Sequence, residues 1–218
     1  MKVGIIGAGN IGATLTRRLT ALGHQVAVAN SRGPATLSEL SAETGAVAVD
    51  AGEVAEGADL VIVTVPQKAV PLLPEGILDG AAAGAPVVDT GNYYPARDGR
   101  IEAIESGMTE SRWVSEQLGR PVVKAFNTIQ AQHLLELGKP AGSPGRIALP
   151  VAGDDPDSKR VVMGLVDELG FDPVDAGTID ESWRQQPGKP VYAADLDAIG
   201  VTRALAEASP ERPDDLRA

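Results

Sequence analysis

The segment Lys2-Val3-Gly4-Ile5-Ile6-Gly7-Ala8-Gly9-Asn10-Ile11-Gly12 runs an apolar strand directly into a G-x-G-x-x-G turn, and an amphipathic stretch follows it. Each glycine has its own task in such a turn. Gly7 permits the tight bend, Gly9 lets the backbone approach a pyrophosphate, and Gly12 lets the next helix pack close to the strand. Asn10 and Ile11 complete the loop where the helix N-terminus faces the anion. Ile11, Leu15, Leu19 and Leu22 follow one another at helical spacing, the stripe a helix needs to cover a sheet. A turn that is only structural is the plain alternative, because glycine-rich turns are common. The strand before and the helix after are what a dinucleotide-binding unit requires.

The place where a cofactor ribose would lie is the second constraint. Gly23 ends the helix, Gln25 to Ala29 reads as a strand, and Asn30-Ser31-Arg32 occupies its end, roughly 20 residues beyond the glycines. No Asp or Glu stands there to accept from a 2′-hydroxyl and repel a 2′-phosphate. Ser31 can donate to a phosphate oxygen and Arg32 can offer it a charged planar fork, so NADP is the expected cofactor. An arginine merely solvated on a loop is the competing reading.

Composition narrows the function classes. The 218 residues carry a formal charge of -11, which argues against nucleic acid or an acidic membrane as partner. Hydrophobic residues make up 43% and aromatic ones 3%, so Ala, Val, Leu and Ile must pack the core. With no Cys, disulfides, thiolate nucleophiles and sulfur-based metal sites are excluded. His24 and His133 give no metal spacing, and no metal is expected. There is no apolar run of about 20 residues and no signal-peptide pattern at the start, so the expectation is a cytoplasmic chain without a membrane partner.

Along the chain the rhythm is β-α-β. A helix from Pro34 to Thr44 ends at Gly45; a short strand covers 46 to 49, a short helix 51 to 56, and the apolar run 59 to 66 reads as a central buried strand. A helix is expected from Gln67 to Leu73, and strands at 85 to 89 and 121 to 126. From about Arg146 the pattern becomes strand (146 to 152), helix (Ser158 to Leu169, with Val161, Val162, Leu165, Val166 and Leu169 on one side) and strand (171 to 175). The fold class is α/β: a doubly wound parallel Rossmann sheet over 1–145 and a small C-terminal α/β subdomain over 146–218. Thr178 to Leu196 is polar and irregular, and the charged, proline-containing Pro210 to Ala218 is expected to be disordered. In open α/β sheets ligands bind beyond the carboxyl ends of the strands. Gly7 to Gly12, Asn30 to Arg32, Thr64-Val65-Pro66, Thr90 to Asn92 and Asn127 all hold such positions and should converge on one crevice.

These ends together resemble the NADPH-dependent reductases of the deazaflavin coenzyme F420, and the related cytosolic oxidoreductase domain of the six-transmembrane metalloreductases. The carriers are the glycine loop, Asn30-Ser31-Arg32, Thr64-Val65-Pro66, Val88 to Asn92, Val123 to Thr128, and Val151 to Asp155 with Ser158-Lys159. The resemblance implies that Ser31 and Arg32 hold the 2′-phosphate, that Val65 and Pro66 line the cofactor, and that Asn92 and Asn127 lie near the nicotinamide. The glycine loop is one residue shorter than in archaeal relatives, and some of those carry histidine where Asn127 stands.

Hydride transfer between a nicotinamide and a flavin-like ring needs two stacked rings and exclusion of water more than a strong acid or base. That matches a chain with no evident catalytic triad. Asn92 and Asn127 would orient the reacting rings; as common turn formers they could instead cap local turns. Tyr93, Tyr94 and Trp183 are the rings placed to meet an acceptor, against core packing as the commoner use of aromatics, and Arg184 and Lys189 could balance an anionic acceptor. The leading expectation is an oxidoreductase passing a hydride between NADPH and a small-molecule, flavin-like or deazaflavin acceptor, in a homodimer by base rate. A reductase of a small carbonyl or imine is the alternative, although the residues after 145 are too few for the large helical second domain of those lineages. An NADP-sensing module without turnover is the third possibility.

Overall fold

The computed structural model describes residues 1–218. Six strands form one parallel sheet: β1 Lys2–Ile6, β2 Gln25–Ala29, β3 Val47–Ala48, β4 Leu60–Val63, β5 Val87–Asp89 and β6 Val123–Lys124. Their spatial order is β3-β2-β1-β4-β5-β6, the doubly wound order whose switch point lies between β1 and β4. The register is level at the carboxyl ends, with Ile6 opposite both Ala29 and Val63, Val63 opposite Asp89, and Asp89 opposite Lys124. The ladder continues one residue further through Gly7 N to Ala29 O (2.8 Å), Thr64 N to Ile6 O (2.8 Å), Thr90 N to Val63 O (3.1 Å) and Ala125 N to Asp89 O (3.2 Å). Five chain segments far apart in sequence therefore leave the sheet side by side.

Alternation along the strands divides the core between the two faces. Val3, Ile5, Leu60, Ile62 and Val88 pack against Leu15 and Leu19 of α1 (Asn10–Ala21) and Leu40 of α2 (Ser38–Thr44). Ile6, Val61, Val63 and Val87 face Ile104, Trp113 and Val114 on the other side. Each fully buried aliphatic side chain contributes about 1.5–3 kcal/mol, so two-sided burial suits these near-continuous apolar strands. The one-turn helices α3 (Pro95–Asp98) and α4 (Glu102–Glu105), then α5 (Glu110–Leu118) and α6 (Ala131–Glu136), complete the layers. Gly4 is required within β1 because a Cβ there would lie 2.3 Å from the Val54 carbonyl oxygen.

Beyond residue 146, β7 (Ala148–Val151) and β8 (Asp172–Asp175) pair in parallel across α7 (Pro156–Glu168), and α8 (Ala198–Ala206) covers them with Val201, Ala204 and Leu205. An antiparallel bridge between Lys124 and Ala152 joins this unit to β6. The core continues across the junction, since Leu149, Val162, Leu165 and Phe171 belong to the same apolar cluster as Val3 and Leu15. The Gly153-Asp154-Asp155 turn is the fastener. Asp155 caps α7 by accepting from Ser158 N (2.9 Å), and Asp154 accepts from Ile179 N (3.0 Å) and Arg112 Nη2 (2.8 Å).

Several sequence expectations are corrected. Strands at 46–49, 85–89 and 121–126 shrink to two or three residues, and 51–56 and 67–73 form 3-10 turns, with Pro71 inside the second denying it α-helical hydrogen bonds. Leu22 and Val161 are exposed, Leu22 because α1 ends before it. The start of the tail makes specific contacts with the body of the chain. Arg212 bonds Glu105 (3.2 Å) and the buried Glu110 (3.1 Å), and Lys189 donates to the carbonyls of Ser209 and Glu211 (both 2.6 Å). Arg212 is thus the tail charge that serves buried groups, while Asp214, Asp215 and Arg217 stay exposed.

Candidate functional site

A cleft of about 980 Å³ opens over the carboxyl ends of β1, β4, β5 and β6. One wall is the glycine loop. Gly7 has φ +104°, a left-handed value that disfavours side chains, and its Cβ would fall 2.8 Å from Thr64 Oγ1. A Cβ on Gly12 would come 2.0 Å from the Gly7 carbonyl oxygen, so that glycine serves helix packing. Gly9 differs from both. Its φ is -75° and no atom of the protein lies within 4 Å of the Cβ position, so neither backbone nor packing asks for glycine. Gly9 lines the cleft, and the space its hydrogen leaves open belongs to the cleft. It is also the N-cap of a 12-residue helix that no side chain caps, leaving the first N–H groups to meet an anion. These residues fit a dinucleotide pyrophosphate. Thr64 Oγ1 donates to the Gly7 carbonyl (2.7 Å) and locks the loop to β4, while Val65 and Pro66 line the cleft beside Asn10 and Ile11.

Asn30, Ser31 and Arg32 stand outside this cleft wall, where β2 leaves the sheet level with Gly7. Asn30 shapes the turn by accepting from Arg32 N (2.9 Å) and donating to Thr36 Oγ1 (2.9 Å). The side chains of Ser31 and Arg32 are exposed, and neither makes a hydrogen bond or ion pair. By contrast Arg17, which also reaches the cleft, is held bidentately by Glu43 (2.7 and 2.8 Å).

The far wall is polar and rigid. Lys124, fully buried, forms an ion pair with Asp89 (3.0 Å) and donates to the Gly91 carbonyl; Asp89 also accepts from Ser111 Oγ (2.7 Å) and Gly91 N (2.8 Å). This buried set ties the ends of β5 and β6 together. Phe126 then adopts φ +61°, a strained value for a bulky residue that turns the chain toward the cleft. Asn92 and Asn127 meet there. Asn127 Nδ2 donates to Asn92 Oδ1 (3.0 Å) and Gln185 O (2.7 Å), its Oδ1 accepts from Gln185 Nε2 (2.9 Å), and Asn92 Nδ2 donates to Asn127 O (3.0 Å). Asn127 is buried and Asn92 only half-buried, which makes Asn127 a holder of Asn92 and of the 185 segment.

Of the rings singled out from the sequence, only Tyr94 reaches the cleft. Tyr93 is a core residue whose hydroxyl donates to Gly99 O (2.9 Å) and accepts from Ile101 N (3.1 Å). Trp183 borders a separate cavity of about 490 Å³, with Lys189 over its ring (5.6 Å). Lys189 is spent on tail carbonyls, and Arg184 pairs with Glu181 (3.3 Å). Sequence reasoning missed Tyr192 and Gln185. They lie in a non-periodic segment whose only local signal is the capping box of Thr178 and Glu181 that opens the 3-10 turn Ile179–Gln185.

Residues 2–93 match the model of a family described as NADP oxidoreductase, coenzyme F420-dependent. The structure of the hypothetical protein SMa0349 from Sinorhizobium meliloti is 36% identical, with 90% of this chain and 95% of that one covered and a TM-score of 0.75. The chain belongs to the coenzyme F420-dependent NADP oxidoreductase family. A structure assigned as an F420-dependent NADP-reductase from Arthrobacter sp. FB24 shares 27% identity over 84% of this chain and 87% of that one, with a TM-score of 0.68. The Escherichia coli K12 protein YjhV is 54% identical over 66 residues, which is 30% of this chain and about half (48%) of YjhV. The stretch matched by the F420-dependent family model holds the glycine loop, Asn30 to Arg32, Thr64 to Pro66 and Asn92. Asn127, Gln185 and Tyr192, which build the far wall, lie beyond it.

Proposed function

We propose that this chain is an NADP(H)-dependent oxidoreductase that passes a hydride between NADPH and a flavin-like or deazaflavin acceptor. The observation that carries the reading is the level row of strand ends, which brings an open, uncapped glycine-loop helix and a rigid polar wall onto one cleft. In this reading Gly9, Asn10 and Ile11 take the pyrophosphate, Ser31 and Arg32 the 2′-phosphate, and Val65 and Pro66 the apolar flank of the cofactor. A bound nicotinamide would supply the hydride chemistry. The chain itself holds the ring plane through Asn92, fixes Asn92 through Asn127 and Gln185, and borders the ring with Tyr94 and Tyr192. No residue is asked to give up or take a proton during hydride transfer, because orientation supplies most of the advantage. The free guanidinium of Arg32, with no carboxylate at the end of β2, supports NADP over NAD.

The test is a spectrophotometric record of NADPH oxidation against coenzyme F420, FMN, FAD, a ferric chelate and a cyclic imine. Turnover is expected with the flavin-like or deazaflavin rings. Turnover confined to the imine or the ferric chelate, or none at all with NADPH bound, contradicts the proposal.

A further inference from the structure

Two tyrosines 98 residues apart in the chain meet at the far wall of the cleft. Tyr94 follows β5 at the start of α3, and Tyr192 follows the buried 3-10 turn of the C-terminal unit; both line the cleft, and their hydroxyls bond each other. Each is held firmly. Tyr94 N donates to the buried Asp98 carboxylate (3.0 Å), and the Arg97 guanidinium sits 5.2 Å from the Tyr94 ring centroid while also bonding Asp98 (2.8 Å). Tyr192 N donates to Lys189 O (2.9 Å), and the next residue, Ala193, adopts a left-handed φ of +53° and donates to Thr128 O (2.9 Å).

Proton counting at this pair leaves a remainder. The two phenols bring two O–H groups, and their mutual hydrogen bond uses one. The other polar contact is Asn92 Nδ2 donating to the Tyr192 oxygen (3.4 Å), which uses a lone pair and no proton. No carbonyl or carboxylate accepts from either hydroxyl. One phenolic proton is therefore uncommitted at a cleft wall, and either member of the pair can carry it by reversing the shared bond.

We propose that the Tyr94–Tyr192 pair presents this O–H to the hydride acceptor, which is then a conjugated ring bearing a carbonyl oxygen or imine nitrogen in conjugation with the ring atom that takes the hydride, a carbon in a deazaflavin and a nitrogen in a flavin. The proposal rests on the function above and specifies its acceptor chemistry. As hydride adds to that atom, the π electron pair moves onto the conjugated carbonyl oxygen or imine nitrogen. The phenolic O–H bonds to the growing negative charge, and solvent supplies the proton that neutralises the product. Burial first, and then the neighbouring Tyr94 hydroxyl, push the Tyr192 phenol above its ordinary range, so it stays protonated and acts as a donor.

Reversibility separates this role from a structural latch. If the pair is a donor, Tyr94→Phe and Tyr192→Phe each leave one hydroxyl able to serve, and only the double variant loses the donor. If the pair merely latches the 185–193 segment over the cleft, either single substitution breaks the bond and costs as much as the double. The measurements are the FMN and 5-deazaflavin dissociation constants of the NADP⁺-loaded protein by fluorescence, kcat/KM for the same rings, and NADPH affinity by calorimetry. We expect each single variant to stay within about threefold of the parent and the double to lose about tenfold or more in ring affinity and kcat/KM, with NADPH affinity unchanged. Equal losses in singles and double, or no loss in the double, overturn the proposal. Should the double variant unfold, Tyr94→Met with Tyr192→Phe removes the same two hydroxyls and takes its place, because near-parental singles alone exclude only the latch. Absence of NADPH binding in the parent overturns the proposed function itself, and this proposal with it.

Discussion

At the scale of single residues, three glycines of one motif do three different jobs, and the structure separates them by what a Cβ would strike. Gly12 meets the Gly7 carbonyl, Gly7 has a positive φ, and Gly9 meets nothing. Gly9→Val is therefore expected to leave the melting temperature near that of the parent while abolishing NADPH binding in a calorimetric titration, whereas Gly12→Val should impair folding. A Gly9→Val protein that binds NADPH with parental affinity would place the pyrophosphate elsewhere. Asn92 and Asn127 divide along similar lines. Asn92→Ala removes a cleft group and should lower kcat while sparing NADPH affinity, by up to about a hundredfold for a misplaced ring. Asn127→Ala removes the partner of the Gln185 carbonyl and leaves the Gln185 side-chain amide only its bond to Pro150 O (3.3 Å), so it should also destabilise, by about 1–3 kcal/mol in denaturant titrations. The glycine loop was legible in the sequence because its spacing is local. The meeting of Asn92 and Asn127 was legible from their places at strand ends, but Gln185 as their partner was not, since only the fold brings that irregular segment to them.

At the scale of elements, the strand ends and α1 followed from apolar runs and helical spacing, while α5 did not. Its Glu-Ser-Arg-Trp-Val-Ser-Glu-Gln-Leu carries too few apolar residues to show a stripe, yet Glu110 and Ser111 are buried because they serve polar partners. The Gly153-Asp154-Asp155 turn was visible as a motif, and the structure makes it architectural. Arg112 reaches from α5 to Asp154 and to Asp180 (2.7 Å), while Asp154 holds the backbone of Ile179. Asp154→Ala should loosen the segment that carries Gln185 and Tyr192, raising KM for the acceptor while the NADPH dissociation constant stays put. Equal changes in both constants would show that the turn supports the whole sheet instead of the far wall.

At the scale of the whole molecule, the C-terminal tail reaches groups near the far wall through Arg212 and the carbonyls of Ser209 and Glu211. Burial raises the Glu110 carboxyl to about 7 against the opposing pull of Lys124, a backbone N–H and Arg212. Because the folded value lies above the ordinary 4.5, Glu110 contributes stability that is present below about pH 4.5 and lost as pH rises through about 7. Glu110→Gln should flatten the melting-temperature profile across that window. Arg212→Ala, which removes the cation that favours the carboxylate, should cost more stability at pH 8 than at pH 5; a deficit independent of pH would remove Glu110 from this account. The central claim concerns the other end of the molecule, where the glycine loop and Arg32 frame an NADP site. Calorimetric titration of the parent protein with NADPH and NADH tests it most directly. One charge-assisted contact to the 2′-phosphate is worth about 1.5–3 kcal/mol, so NADPH should bind about tenfold more tightly or better, and Ser31→Asp with Arg32→Ala should erase or reverse that preference. Equal dissociation constants for the two cofactors, or a preference that survives the paired substitution, would contradict it.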